Sequence, residues 1–155
     1  MEETRTMEPV RTEVTVRRSV DEAFRVFTEE IGAWWPLETH AMDERRSTGA
    51  VFEPEVGGRI YEVHEDGTEG VWGRVRTWDP PRRVVFSWKP NTNSRPPTEV
   101  EVRFEPAGDG TRVEVVHRGW EHLGPDAADV RASYGSAGGW PLVIGRFAAA
   151  ADRPD

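Results

Sequence analysis

Between Gly49 and His117 the chain shows no helical period. It reads instead as short alternating segments separated by turn residues, a run that restricts the fold to one built on an antiparallel sheet. The spacing predicts strands near Ala50 to Glu53, Arg59 to His64, Gly70 to Trp78, Arg83 to Trp88, Thr98 to Glu105 and Thr111 to Arg118. Between them lie Val56-Gly57-Gly58, Glu65-Asp66-Gly67, Asp79-Pro80-Pro81 and Gly108-Asp109-Gly110, where Gly supplies positive φ or Pro a preset one. Lys89 to Pro97 is polar and Pro-bearing, and is expected to be a loop. An earlier strand precedes this run, because Val10, Thr12, Val14 and Val16 alternate with Arg11, Glu13, Thr15 and Arg17.

Helices are confined to two places. Ser19-Val20-Asp21-Glu22 forms a capping box, in which the Ser side chain accepts from the N3 amide and Glu22 reaches back. Val20, Ala23, Phe24, Phe27 and Ile31 then recur at helical spacing until Gly32 and Pro36, with Trp34 and Trp35 on the last turn or on a second short helix. Beyond Gly124-Pro125 the residues Trp140, Val143, Ile144, Phe147 and Ala151 mark one long C-terminal helix, whose first half is weakened by Gly135, Gly138 and Gly139. Consecutive strands followed by a long helix define an α+β class: a curved antiparallel sheet of about seven strands wrapped around the C-terminal helix, with short helices after the first strand. A disordered arm is expected over residues 1–9 and a single domain over 10–151.

Composition narrows the function. A net charge of −8, with no Lys/Arg block, argues against nucleic acid as a partner. The scattered Arg residues read as a solvated outer face. There is no Cys, so thiolate chemistry and disulfides are excluded. The four His residues show no paired ligand spacing, and neither a Gly-x-Gly-x-x-Gly nor a Walker sequence occurs, so no metal, nucleotide or other cofactor is expected. The polar, acidic start carries no signal-peptide or membrane-spanning stretch, which makes a cytoplasmic location without membrane insertion the default expectation.

Seven Trp and six Phe concentrate the apolar area in a few large rings. Phe86 and Trp88 share a strand face with Val84, and Val100, Val102 and Phe104 share the next; both faces are expected to meet Trp140 and Ile144. Trp34, Trp35 and Trp120 stand in connecting segments that suit a cavity rim. Because each indole N–H needs a partner, clustered Trp residues line a pocket better than they fill a dry core. Phe52 and Tyr134 complete the expected lining. Alternation on the strand at 111–118 points His117 inward, either as an acid/base group or as a core His satisfied by a neighbour. Alternation on the strand at 59–64 does not say whether Arg59, Tyr61 and Val63 or Ile60, Glu62 and His64 face inward; Tyr61 is the expectation, and it joins His117 as a candidate catalytic residue. On Gly70 to Trp78, the set Trp72, Arg74, Arg76 and Trp78 reads as the exposed side, with Arg and Trp stacking there.

Several of these stretches, in this order, resemble the bacterial heat-shock-protein ATPase activator homologues of the START-like, or polyketide cyclase and birch-pollen-allergen, superfamily (SRPBCC). They are Ser19-Val20-Asp21-Glu22-Ala23-Phe24, Val56-Gly57-Gly58-Arg59, Val71-Trp72-Gly73-Arg74-Val75, the run Asp79 to Trp88, the run Gly110 to Trp120, and Gly139-Trp140. The resemblance covers nearly the whole chain. It implies the helix-grip fold with a cavity between sheet and long helix, and it leaves three roles open because this scaffold hosts many functions. One is binding of an apolar or aromatic small molecule, as a carrier or for sequestration or protection. Another is an enzyme of the cyclase, dehydratase or hydrolase type acting on a polyketide-like substrate. The third is a chaperone-associated interaction module using Trp34, Trp35 and the 89–97 loop, in a chain that is a monomer or a homodimer.

Overall fold

The computed structural model describes residues 7–40, 47–89 and 96–153. Residues 1–6 of the arm expected over 1–9, and most of the expected loop after Lys89, lie outside those residues. β1 (Val10–Val16) leads into α1 (Val20–Thr28), α2 (Ile31–Trp34) and α3 (Leu37–His40). β2 (Ser47–Phe52), β3 (Arg59–His64), β4 (Glu69–Asp79), β5 (Arg83–Trp88), β6 (Thr98–Ala107) and β7 (Gly110–Arg118) follow. All pairings are antiparallel, and the sheet order is β1-β7-β6-β5-β4-β3-β2. The first strand therefore closes onto the last, which leaves α1 to α3 spanning the concave face.

Ser19 caps α1 by accepting from the Glu22 amide at 3.3 Å. The Glu22 carboxylate meets the Ser19 hydroxyl and Arg18 rather than the backbone amide, so the capping box closes through side chains. α2 lies so close to β2 that a Cβ on Gly32 would stand 2.7 Å from the Ala50 carbonyl oxygen, which requires glycine there.

The C-terminal helix is bent. A 3-10 turn (Trp120–Asp126) precedes α4 (Ala127–Gly135), and after a break at 136–139 the chain resumes as α5 (Trp140–Ala151). The glycine-weakened half is therefore a separate helix. Pro141, in the first turn of α5, marks the restart, since a residue without an N–H fits only there. Trp140, Val143, Ile144, Phe147 and Ala151 are buried on α5 as their spacing predicts, against Val84, Phe86, Val100, Val102, Phe104, Val113 and Val115 of the sheet. Phe27 of α1 bridges the layers, 5.3 Å from Phe147 and 5.9 Å from Phe104 between ring centroids.

β4 departs from simple alternation. Its register against β3 shifts between Ile60 and Tyr61, and its register against β5 shifts between Val75 and Thr77. Each bulge reverses the facing of the residues beyond it. Trp72 is thereby buried, Val75 is buried after the first shift, and Trp78 packs on Phe24 at 5.0 Å and on Phe52 at 6.2 Å. The expected exposed set holds only for Arg74 and Arg76; Trp72 and Trp78 belong to the interior.

On the convex face the arginines are not simply solvated. Glu101 is 2% exposed and accepts from Arg83 at 2.6 Å, from Arg103 at 2.8 Å and from Arg118, which also reaches Glu99 at 3.1 Å. Burial would raise the Glu101 pKa, but the hydrogen-bonded guanidinium groups of Arg103 and Arg83 outweigh it and hold the carboxyl below its ordinary value. This contribution to stability is present above the usual carboxylate range and is lost as the pH falls through the lowered pKa. Because the three arginines are partly exposed and rehydrate readily, Glu101→Ala should cost about 2–3 kcal/mol, below the cost of breaking a fully buried pair. Urea unfolding at neutral pH measures it.

Candidate functional site

At the α4–α5 junction the structure contains a cavity of about 460 Å³, open to solvent on one side. Four indoles form its floor: Trp35 after α2, Trp72 on β4, Trp88 on β5 and Trp140 at the start of α5. Tyr134, Ser133, Ser136, Gly138, Gly139, His40 and Val143 complete the wall. Two depressions of similar size elsewhere, about 510 and 550 Å³, are lined mainly by Arg, Glu and Pro side chains and hold no indole. Aromatic lining therefore sets the α4–α5 cavity apart.

The indoles pack against one another. Trp35 lies 4.8 Å from Trp72, 5.6 Å from Trp88 and 6.2 Å from Trp140 between ring centroids. Every indole N–H in the set is directed to a protein acceptor. Trp35 donates to the His40 carbonyl at 3.2 Å, Trp72 to the Glu62 carboxylate at 2.8 Å, Trp88 to the Tyr134 hydroxyl at 2.9 Å, and Trp140 to His117 Nδ1 at 2.9 Å. The rings are fixed in orientation and offer the cavity π surface and carbon edges, with no indole donor left over.

His117 stands one layer behind this floor, fully buried and outside the cavity lining. Because an indole only donates, its Nδ1 must accept from Trp140, which assigns the proton to Nε2. Nε2–H donates to the Thr98 hydroxyl at 2.6 Å, and that hydroxyl donates to the Trp88 carbonyl at 3.2 Å. Burial first, and the nearby Arg118 charge second, push the His117 pKa down to about 3. A neutral imidazole with both nitrogens occupied has no proton to give and no lone pair to offer. His117 holds Trp140 through one nitrogen and, by way of Thr98, the end of β5 through the other.

Of the residues expected to line a pocket, Trp35, Trp88, Tyr134 and Trp140 border this cavity. Trp120 lies behind, with its ring 4.1 Å from the His117 ring and 5.4 Å from that of Tyr134; its buried N–H has no partner among the described residues. Trp34, Phe52, Phe86, Val102 and Ile144 are core residues away from the cavity, and Trp34 donates to the Val26 carbonyl at 2.9 Å. Tyr61 faces the other way. It is half-buried on the outer surface under the Arg59 guanidinium, 4.4 Å from its ring centroid, while Ile60 and Glu62 take the interior. That placement removes Tyr61 from the cavity and from His117.

Alternation alone misses Trp72, His40 and Glu62. The bulges hide Trp72, and His40 ends a four-residue helix with no period of its own. Glu62, fully buried, accepts from Trp72, from the Ser47 hydroxyl at 2.6 Å and from His64 at 2.8 Å in the appropriate tautomer. A carboxylate in a strand is ordinarily read as surface, so only its satisfied partners explain it. Among the described residues no group of three or more His, Cys, Asp or Glu side chains is placed to hold a metal ion, and no helix is long and apolar enough to cross a membrane.

Solved structures share this fold. An anthrahydroquino-gamma-pyrone synthase, Txn09, in complex with a compound designated SUM, is 38% identical over 92% of this chain and 96% of its own, with a TM-score of 0.60. CalC of Micromonospora echinospora, described as a self-sacrificing resistance protein, is 31% identical over 94% of both chains, with a TM-score of 0.70. The Aha1 dimer of Colwellia psychrerythraea, 17% identical over 94% of this chain and 97% of its own, shares the fold at a TM-score of 0.64. No curated protein matches the chain. A family model described as activator of Hsp90 ATPase homolog 1-like protein matches residues 17–152, from the turn before α1 to the residue after α5. With the helix-grip fold in place and that match spanning both the sheet and the helix it grips, the chain belongs to the activator of Hsp90 ATPase homolog 1-like family.

Proposed function

We propose that this protein binds a planar aromatic, polyketide-like small molecule against the indole floor at the α4–α5 junction. The observation that carries the reading is the convergence of Trp35, Trp72, Trp88 and Trp140 on one open cavity with all four N–H groups already bonded to protein acceptors. Such a wall gains little from a strongly polar ligand and much from a flat ring that covers it. The likeness to a synthase of an anthrahydroquino-gamma-pyrone, itself a fused aromatic system, supports the same ligand class.

The test is titration of the protein with fused-ring polyketides, read by intrinsic Trp fluorescence and by native mass spectrometry. Saturable quenching at micromolar concentration and a one-to-one adduct are expected, and Trp35→Leu should weaken binding about tenfold by removing one face of the floor. Quenching that Trp35→Leu leaves unchanged counts against the cavity.

A second reading, an enzyme of the cyclase type on the same cavity, is favoured by the 38% identity to a protein named as a synthase. Incubation with an uncyclised precursor separates the two: a binder returns it unchanged, whereas an enzyme yields a cyclised product. Since His117 is enclosed, any acid or base in such a step has to come from the cavity wall or from the substrate.

A further inference from the structure

Resting on that reading of the cavity, we propose that Tyr134 selects the ligand by donating its phenol proton to a carbonyl oxygen on the edge of the aromatic system. The hydroxyl accepts from Trp88 Nε1 at 2.9 Å, and its own proton has no acceptor among the described residues. Tyr134 lines the cavity and is partly buried, with its ring packed against the adjacent rings of Trp120 at 5.4 Å and His117 at 4.9 Å. It is thus oriented before a ligand arrives.

The competing polar groups of the wall are already engaged. The four indole donors are committed as described. His40 bonds the Gly138 carbonyl through Nε2 at 2.6 Å and the Thr39 hydroxyl through Nδ1 at 2.6 Å. The Ser136 hydroxyl donates to the Ser133 carbonyl at 2.7 Å. Ser133 is exposed at the rim, where water serves its hydroxyl as well as a ligand does. Tyr134 is left as the uncommitted donor next to the indole floor. Burial holds its phenol pKa above the ordinary value against the opposing pull of the Trp88 N–H, so it stays protonated and donates throughout the neutral range.

A donor held ready in an apolar wall discriminates. A ligand with an oxygen at that edge satisfies it, whereas an equally flat hydrocarbon strips its hydration and returns nothing. The ligand class is accordingly a fused aromatic ketone, with a quinone or pyrone carbonyl at the end facing α4.

The experiment compares anthraquinone sulfonate with anthracene sulfonate, which share an outline and a solubilising charge but differ in the ring carbonyls, by calorimetric titration. The wild-type protein should prefer the quinone by about tenfold. Tyr134→Phe should erase that preference by weakening the quinone alone, and Ser133→Ala should leave it intact. The hydrocarbon probe controls for any disturbance of Trp88 caused by loss of its acceptor. The proposal is overturned if the wild-type protein binds both probes equally, a result that needs no variant, or if Tyr134→Phe weakens both alike or neither. If the wild-type protein binds neither probe, the cavity reading itself falls, and this proposal with it.

Discussion

Trp140→Ala should lower the unfolding free energy by about 4–6 kcal/mol, and no other single truncation at the site is expected to cost more. Two losses combine. Removing a fully buried indole leaves a void between α5 and the sheet that the surrounding rings fill only in part, and a Trp deletion of this kind costs about 3–5 kcal/mol. The remainder comes from His117, whose buried Nδ1 then has no donor, a penalty of about 1–3 kcal/mol. For a chain of this length each kcal/mol moves the midpoint by roughly 2–4 °C, so a drop of about 10–20 °C in thermal unfolding is the expected readout. Trp140→Phe separates the two losses. It keeps much of the ring volume while removing the donor, and should cost about 1–3 kcal/mol, while a result as large as that of Ala would mean that the His117 bond rather than the lost volume dominates. The same truncation opens the cavity floor, so ligand quenching of the remaining indoles should vanish along with the stability.

Acid should destabilise this protein well before its carboxylates titrate. His117 takes up a proton near pH 6.5 in the unfolded chain but only at about 3 in the folded one. Between those values the unfolded state binds more protons, so stability is complete above about pH 6.5 and declines as the pH falls toward 3, by up to about 4–5 kcal/mol from this one group. The carboxylate contribution of Glu101 enters only below the ordinary carboxylate range, which leaves the interval from about pH 6.5 to 4.5 to His117. His117→Gln tests this directly, because the Gln amide can accept from Trp140 and donate to Thr98 without a protonation step. Urea unfolding across that interval should show a slope approaching 1.4 kcal/mol per pH unit in the wild-type protein and a much flatter one in the variant, the other three histidines being common to both. Parallel slopes would show that the folded imidazole titrates normally and is not enclosed as described.

How far the site was legible depended on whether a residue lay in a regular element. Trp88 and Trp140 are legible as inward-facing because alternation on β5 and the helical period on α5 orient them, and both elements run true. His117 was placed inward by the same logic, but its role was not readable, because that depends on Trp140 and Thr98, which lie 23 and 19 residues away. Alternation puts Trp72 on the wrong face because each bulge in β4 inserts a residue, and the insertion appears only when β3 and β5 are laid beside it. Tyr61 lies next to the same irregularity and faces outward. In a short strand with polar residues at alternate positions, pattern alone does not choose a face.

Local chemistry was enough for the class of fold. Turn residues, two periodicities and one capping box are interactions within a few residues of each other, and they specified a strand-rich body, an early helix and a late one. Composition was enough to say that large rings would dominate whatever interior formed. Packing settled the rest. Pairing of β1 with β7 joins positions about a hundred residues apart, the bulges bring Trp72 inward, and the break at Gly139 turns Trp140 onto His117. These contacts make four scattered indoles into one wall with a single phenol proton beside it. They lie beyond local reading because each depends on where a second, distant segment comes to rest, and that is fixed by burial and hydrogen-bond satisfaction summed over the whole chain.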